Sequence, residues 1–195
     1  MQEDIPFDRE KFKDAVHYIV QCVNDRYSPD ALGNTKLHKI LYYADMSAYL
    51  EHFAPMTGEH YLRQKCGPTA RHLTETLGEL AKEGRISVAY SNFFGFQKSD
   101  YTSRVRLRSN RLAATEMAAL DHMIGFVCAK TASEISEFSY DEVWKWVPMG
   151  QRIPYFAVLA WPPSELTEEE VRQFELEAVR IAPVIAAERR DGGLL

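Results

Sequence analysis

The residues able to do chemistry in this chain are its six histidines, its three cysteines and a lysine-rich helical stretch that ends in an aspartate. His17, His38, His52, His60, His72 and His122 are scattered. No two stand four apart, the spacing at which one helix face offers two imidazoles to a metal. His38 and Asp45 are seven apart. Two helical turns put them on one face but about 10 Å apart along the axis, too far to share an ion. The expectation is no metal and no cofactor, with the histidines at the surface or in a polar core. Cys22, Cys66 and Cys128 form neither a CxxC pair nor an even-numbered disulfide set. They read as small buried hydrophobes. Cys66 is the candidate for a reactive thiol, with Arg63, Lys65 and Arg71 near it and a predicted helix N-terminus behind it. The chain has no phosphate-binding glycine loop, no G-x-S-x-G elbow and no H-E-x-x-H helix. No catalytic residue is assigned, and the chain reads as a binding protein rather than an enzyme.

Four groups of residues are candidates for partner binding instead. Lys36 and Lys39 lie one helical turn apart and form either a positive edge or a solvated face. Asp45 follows an apolar block, so it is expected to be partly buried and paired, with Arg63 or Arg71 as partner. Phe93, Phe94 and Phe96 crowd a connection around Gly95. Such rings either anchor an interface or fold back on their own core. Arg104, Arg106 and Arg108 alternate with Val105 and Leu107, which on a strand puts the arginines on one face, with Arg111 beyond. A basic wing of this kind could touch phosphates or an acidic partner. The formal net charge of -5 argues against broad nucleic-acid binding.

The elements that must position these residues are mostly helical. Asp8 is a good N-cap for a helix with Phe12, Val16, Ile19, Val20 and Val23 on one face. Asn34 or Thr35 can cap a second helix carrying Leu37, Leu41, Ala44 and Ala48 at helical spacing, with Ile40 and Tyr43 widening the stripe. A helix so broadly apolar is central. Gly67-Pro68 restarts the chain, Pro68 suits a first helical position, and a third helix runs over 68–82 with Gly84 as its stop. Strands are expected at 86–90 and 103–108, joined by a connection too long for a tight hairpin. A helix followed by two strands resembles a helix-and-wing arrangement. A fourth helix carries Met117, Leu120, Ile124 and Val127, and Thr131 or Ser133 caps a short fifth. A short strand is expected over 155–160. A capping box at Thr167 and Glu170 opens a last helix over 167–189. The fold class is thus mainly α (α+β), one helical domain over 1–195 with a small antiparallel β element inserted between helices.

Hydrophobic residues at 46% and charged residues at 26% are ordinary for a globular chain. No apolar run reaches a membrane span, and the acidic start MQEDIPFDRE has no apolar h-region. A cytoplasmic protein with no membrane partner is expected.

The segment 34–69 also carries a resemblance. Lys36-Leu37-His38-Lys39-Ile40-Leu41-Tyr42-Tyr43-Ala44-Asp45, then Pro55-Met56-Thr57-Gly58, then Gly67-Pro68, resembles the Panacea domain of SocA-like bacterial and phage proteins. His38 stands where the family usually has Gln, Tyr43 where Phe is common and Thr69 where Val is common. Trp144 and Gly150-Gln151-Arg152-Ile153-Pro154-Tyr155 look like a later, weaker signature over 144–155. The resemblance implies an antitoxin of a toxin–antitoxin system. Its partner would be a protein toxin encoded nearby, and delivery of that toxin to a ClpXP-type protease is a narrower form of the same role. It also implies that Lys36, Lys39, Tyr42, Tyr43, Asp45, Gly67 and Pro68 serve partner binding directly or as scaffold, while a variable surface including Phe93, Phe94 and Phe96 selects the toxin. A winged-helix-like transcriptional regulator using Arg104, Arg106 and Arg108 on DNA is the alternative.

Overall fold

Asp8 starts the first helix, α1 (Arg9–Arg26), its carboxylate accepting from the Lys11 amide at 2.9 Å. This satisfies one of the free donors of the first turn. The computed structural model describes residues 5–28, 31–93 and 96–160. They fall within one compact unit, Met1–Trp161. The helix expected over 167–189 lies outside the described residues. Among the described residues no helix is long and apolar enough to cross a membrane.

The central helix, α2, spans Asn34–His52. Every residue from Leu37 to Met46 is buried, so almost three turns are wrapped on all sides. Its N-cap is Gly33, with no side-chain cap. Asn34 and Thr35 were the expected caps, but the Asn34 carboxamide oxygen instead accepts from the Tyr101 hydroxyl at 3.3 Å. α4 (Ala114–Cys128) packs along α2 and contributes Leu120, Ile124 and Val127 to the core. α1 adds Phe12, Ala15, Val16, Ile19, Val20 and Val23. Thr131 caps α5 (Ala132–Phe138) through a reciprocal pair with Glu134, and α6 (Glu142–Trp146) is one short turn.

Two antiparallel ribbons replace the single expected β element. β1 (Tyr61–Gln64) pairs with β2 (Gly67–Ala70). The helix expected to begin at Pro68 therefore begins later, as α3 (Leu73–Lys82). Proline fits this strand because of its register. The pair flanking a two-residue turn is the hydrogen-bonded one, so Arg63 and Pro68 form a non-bonded pair and the missing N–H faces away from β1. Gln151 and Ile153 line the other side of β1, with Arg63 N donating to Gln151 O at 2.9 Å and Ile153 N to Tyr61 O at 2.7 Å.

β3 (Ile86–Phe93) pairs with β4 (Phe96–Ser103) from Ile86↔Ser103 to Phe93↔Phe96. The segment read as a long connection is thus the hairpin itself, and the strand expected over 103–108 ends where that prediction began. The alternation of Arg and apolar residues misled, because Lys98, Ser99 and Asp100 are weak strand formers held in place by pairing across the ribbon. The strand expected over 155–160 is a 3-10 turn, Tyr155–Ala160. The fold is mainly helical with small antiparallel sheets.

Candidate functional site

The three motif blocks meet around α2, and its side chains finish the edge of the first ribbon. His38 Nδ1 accepts from Ala70 N at 3.0 Å. Lys39 Nζ donates to Cys66 O at 2.5 Å and to Pro68 O at 3.0 Å. Ala70 and Pro68 are the β2 positions that face away from β1, so a helix supplies what a third strand would. Burial fixes the protonation states. It pushes His38 down to about 3, leaving a neutral ring whose Nδ1 lone pair is free to accept. It pushes Lys39, which is 1% exposed, down to about 7. Gly67 (φ +88°) must lack a side chain here, since a Cβ would stand 2.1 Å from Ser139 Oγ and 2.6 Å from Lys39 Nζ.

Asp45 ties the second block to the first. It is fully buried and accepts from Thr57 N at 2.7 Å, Thr57 Oγ1 at 2.5 Å and Tyr61 OH at 2.7 Å. Burial raises its carboxyl to about 6, against the pull of those donors. The expected partners are elsewhere. Arg63 donates to Lys145 O and Val147 O and lies over the Trp144 ring at 4.0 Å, and Arg71 is exposed. Tyr42 and Tyr43 are core residues, with Tyr42 edge-on to Tyr61 and Tyr43 edge-on to Phe126 and Phe138. Lys36 is half-buried, its Nζ 3.5 Å from Cys128 O. Cys66 is exposed in the β1–β2 turn and is followed by a strand, so the helix N-terminus expected to activate its thiol is missing.

Two buried polar clusters escaped the sequence reading. Glu59 accepts from His60 N, His72 N and His72 Nδ1, and burial raises its carboxyl. Phe7 stacks on His72 with centroids 4.4 Å apart. Under α1, Arg85 donates to Asp14 at 2.8 Å and to His17 Nδ1 at 3.1 Å, which leaves His17 Nε2 to donate to Val105 O at 3.0 Å. In the second cluster Arg85 is 68 positions from His17 and 71 from Asp14, and Val105 is 88 from His17, separations that no local pattern spans.

The second ribbon is more exposed. Tyr90 is 67% exposed, and Val88 is half-buried. Phe93 and Phe96 pair at the ribbon's end, while Phe94 lies outside the described residues. Arg104, Arg106 and Arg108 follow β4 and do not form one face of a strand. Arg106 pairs with Asp25 at 2.7 Å, and Arg111 with Asp14 at 3.3 Å.

A family model described as antitoxin SocA-like, Panacea domain, matches residues 37–147. The chain belongs to this family. The match begins inside α2 and takes in both ribbons and all helices from α3 to α6 of the Panacea domain. It ends just after Trp144, so Gly150 to Tyr155 fall beyond it. No curated protein and no solved structure matches the chain.

Proposed function

We infer that this Panacea-domain protein is an antitoxin that neutralises a cognate protein toxin by direct binding. The family match over residues 37–147 carries the reading. The placement of the motif refines it. Lys39, Tyr42, Tyr43, Asp45, Gly67 and Pro68 are buried. Their part in recognition is to hold the ribbons in position, and Lys36 is the motif residue within reach of solvent. The toxin meets the surface these elements display, with the β3–β4 ribbon, which ends in the pair Phe93↔Phe96, as the leading candidate. The DNA-binding alternative has the right element order in α3, β3 and β4, but its arginines fall after the ribbon and Arg106 is neutralised by Asp25.

Co-expression with the product of the adjacent open reading frame tests this. If the neighbour stops growth alone, growth returns with this protein and the two co-purify, neutralisation by binding stands. Rescue without a stable complex, lost when a ClpXP-type protease is absent, assigns delivery for proteolysis instead. A neighbour harmless by itself removes the pairing, and retention of the protein on upstream DNA at low salt would then favour the regulator.

A further inference from the structure

The two ribbons have four outer strand edges, and three are closed at least in part. β1 is lined by Gly150 to Ile153, with Gly150 N donating to Arg63 O at 2.8 Å. β2 is finished by His38 and Lys39. β4 is closed at its base by Asn24 of α1, whose carboxamide donates to Tyr101 O at 3.0 Å and accepts from Ser103 N at 2.7 Å. An amide side chain bonded in this way copies the pairing of a strand. β3 is different. Arg104 N donates to Arg85 O, and Phe93 pairs with Phe96 beside the turn, so odd-numbered residues of β3 bond to β4. Ile86, Val88 and Tyr90 therefore turn their N–H and C=O groups away from β4; Ile86 is covered at the base of the ribbon, whereas Val88 and Tyr90 reach the surface and no described residue takes up their backbone groups. Proteins guard such an edge with lysine, proline or a bulge. Over Ile86–Phe93 the sequence ISVAYSNF has no charge and no proline, and the pairing register has no bulge.

A groove of about 410 Å³ runs beside this edge. Its ribbon wall is the face that holds the pairs Val88↔Tyr101 and Tyr90↔Ser99. The opposite wall is α3, with Thr74, Leu77, Gly78 and Ala81 on one helical face. No charged side chain lines the groove. A Cβ at Gly78 would meet nothing, so the helix is hollowed at that point.

We propose that β3 is the docking edge for an extended segment of the toxin, which adds as a strand beside Val88 and Tyr90 and places alternate apolar side chains in the groove against α3. An open backbone edge calls for a strand, because a helix spends its own N–H and C=O groups internally. A groove without charge beside that edge calls for apolar side chains at every second position. This inference rests on the antitoxin reading and adds where and how the toxin binds.

The test uses the full chain and the toxin it neutralises, with amide hydrogen exchange and affinity as readouts. In the complex, exchange at Val88 and Tyr90 slows by about tenfold or more. Gly78→Phe, which fills the groove, weakens binding by about tenfold or more, whereas Ala89→Phe on the opposite face of the ribbon leaves it unchanged. Thermal unfolding of both variants shows that each is folded, and the exchange measurement needs no variant. A wild-type complex without new protection at Val88 and Tyr90 overturns the docking edge and leaves the antitoxin reading standing. Failure of the wild type to bind the toxin removes both. Protection already complete in the free protein, falling on dilution, would give the edge to a second copy of this chain and also overturn the proposal.

Discussion

Three donors converge on Asp45 from Thr57 and Tyr61, and nothing of its carboxylate reaches water. Asp45→Ala leaves those donors without an acceptor in a dry site, so it should lower stability by about 3 kcal/mol. Chemical denaturation would measure this; a loss under about 1 kcal/mol would mean that water repairs the site. The pH dependence has a definite sign. A carboxyl raised from 3.8 to about 6 holds its proton more tightly in the folded chain, so stability rises as pH falls from neutrality towards 4. In Asp45→Asn that gain should shrink, with Glu59, also raised, still adding the same sign. Lys39 works on the other side of neutrality. Its ammonium, lowered from 10.5 to about 7, is neutral in the folded chain and charged in the unfolded one across that window. Stability from Lys39 therefore increases as pH rises from about 7 to 10.5. Lys39→Met should remove a slope of up to about 1.4 kcal/mol per pH unit, seen by comparing unfolding at about pH 8 and about pH 9. A variant that keeps the wild-type slope would refute this origin.

Single elements follow local signals where caps and apolar periodicity agree. Asp8→Ala should cost α1 about 1 kcal/mol, read from the denaturation midpoint, since it strips the acceptor from the Lys11 amide. α3, α4 and α5 were legible from apolar spacing, Gly84 and Thr131, though α3 starts later than expected. The ribbons were legible only in part. Gly67-Pro68 carries the signature of a turn before a helix, and it becomes a strand that pairs with β1 on one side and offers the Pro68 carbonyl to Lys39 at 3.0 Å on the other. The hairpin over 86–103 differs from the expected strand, loop and strand, because polar residues such as Ser91, Asn92 and Asp100 carry no strand signal of their own. Pairing across the ribbon supplies it, and Asn24 holds the base of β4.

Across the molecule, the proposed function divides the work: the buried motif serves stability and the exposed ribbon serves recognition. Ile124 is fully buried in α4, so Ile124→Ala should cost about 2–5 kcal/mol and reduce toxin neutralisation only as far as the folded population falls. Tyr90→Ser should reduce neutralisation while the midpoint of thermal unfolding stays within about 2 °C. Growth rescue and thermal unfolding measured on the same variants decide the matter. Parallel losses at Tyr90 would place that ring in the fold rather than in the interface.

By itself the sequence determined the helical class, the central place of α2, most helix ends, and a family likeness carried by blocks at 36–45, 55–58 and 67–68. These are local properties: caps, turn residues and apolar period act within one element or between neighbours in the chain. Tertiary structure alone decided what the motif's polar residues do. Lys36 and Lys39 look alike in sequence, yet one is half-buried near the surface and the other is sealed against two carbonyls. Asp45 was expected to meet an arginine and meets hydroxyls, because the turn after α2 brings Thr57 and Tyr61 to it first. Which strand edge stays open was equally beyond the sequence, since closing an edge depends on what the rest of the chain lays beside it.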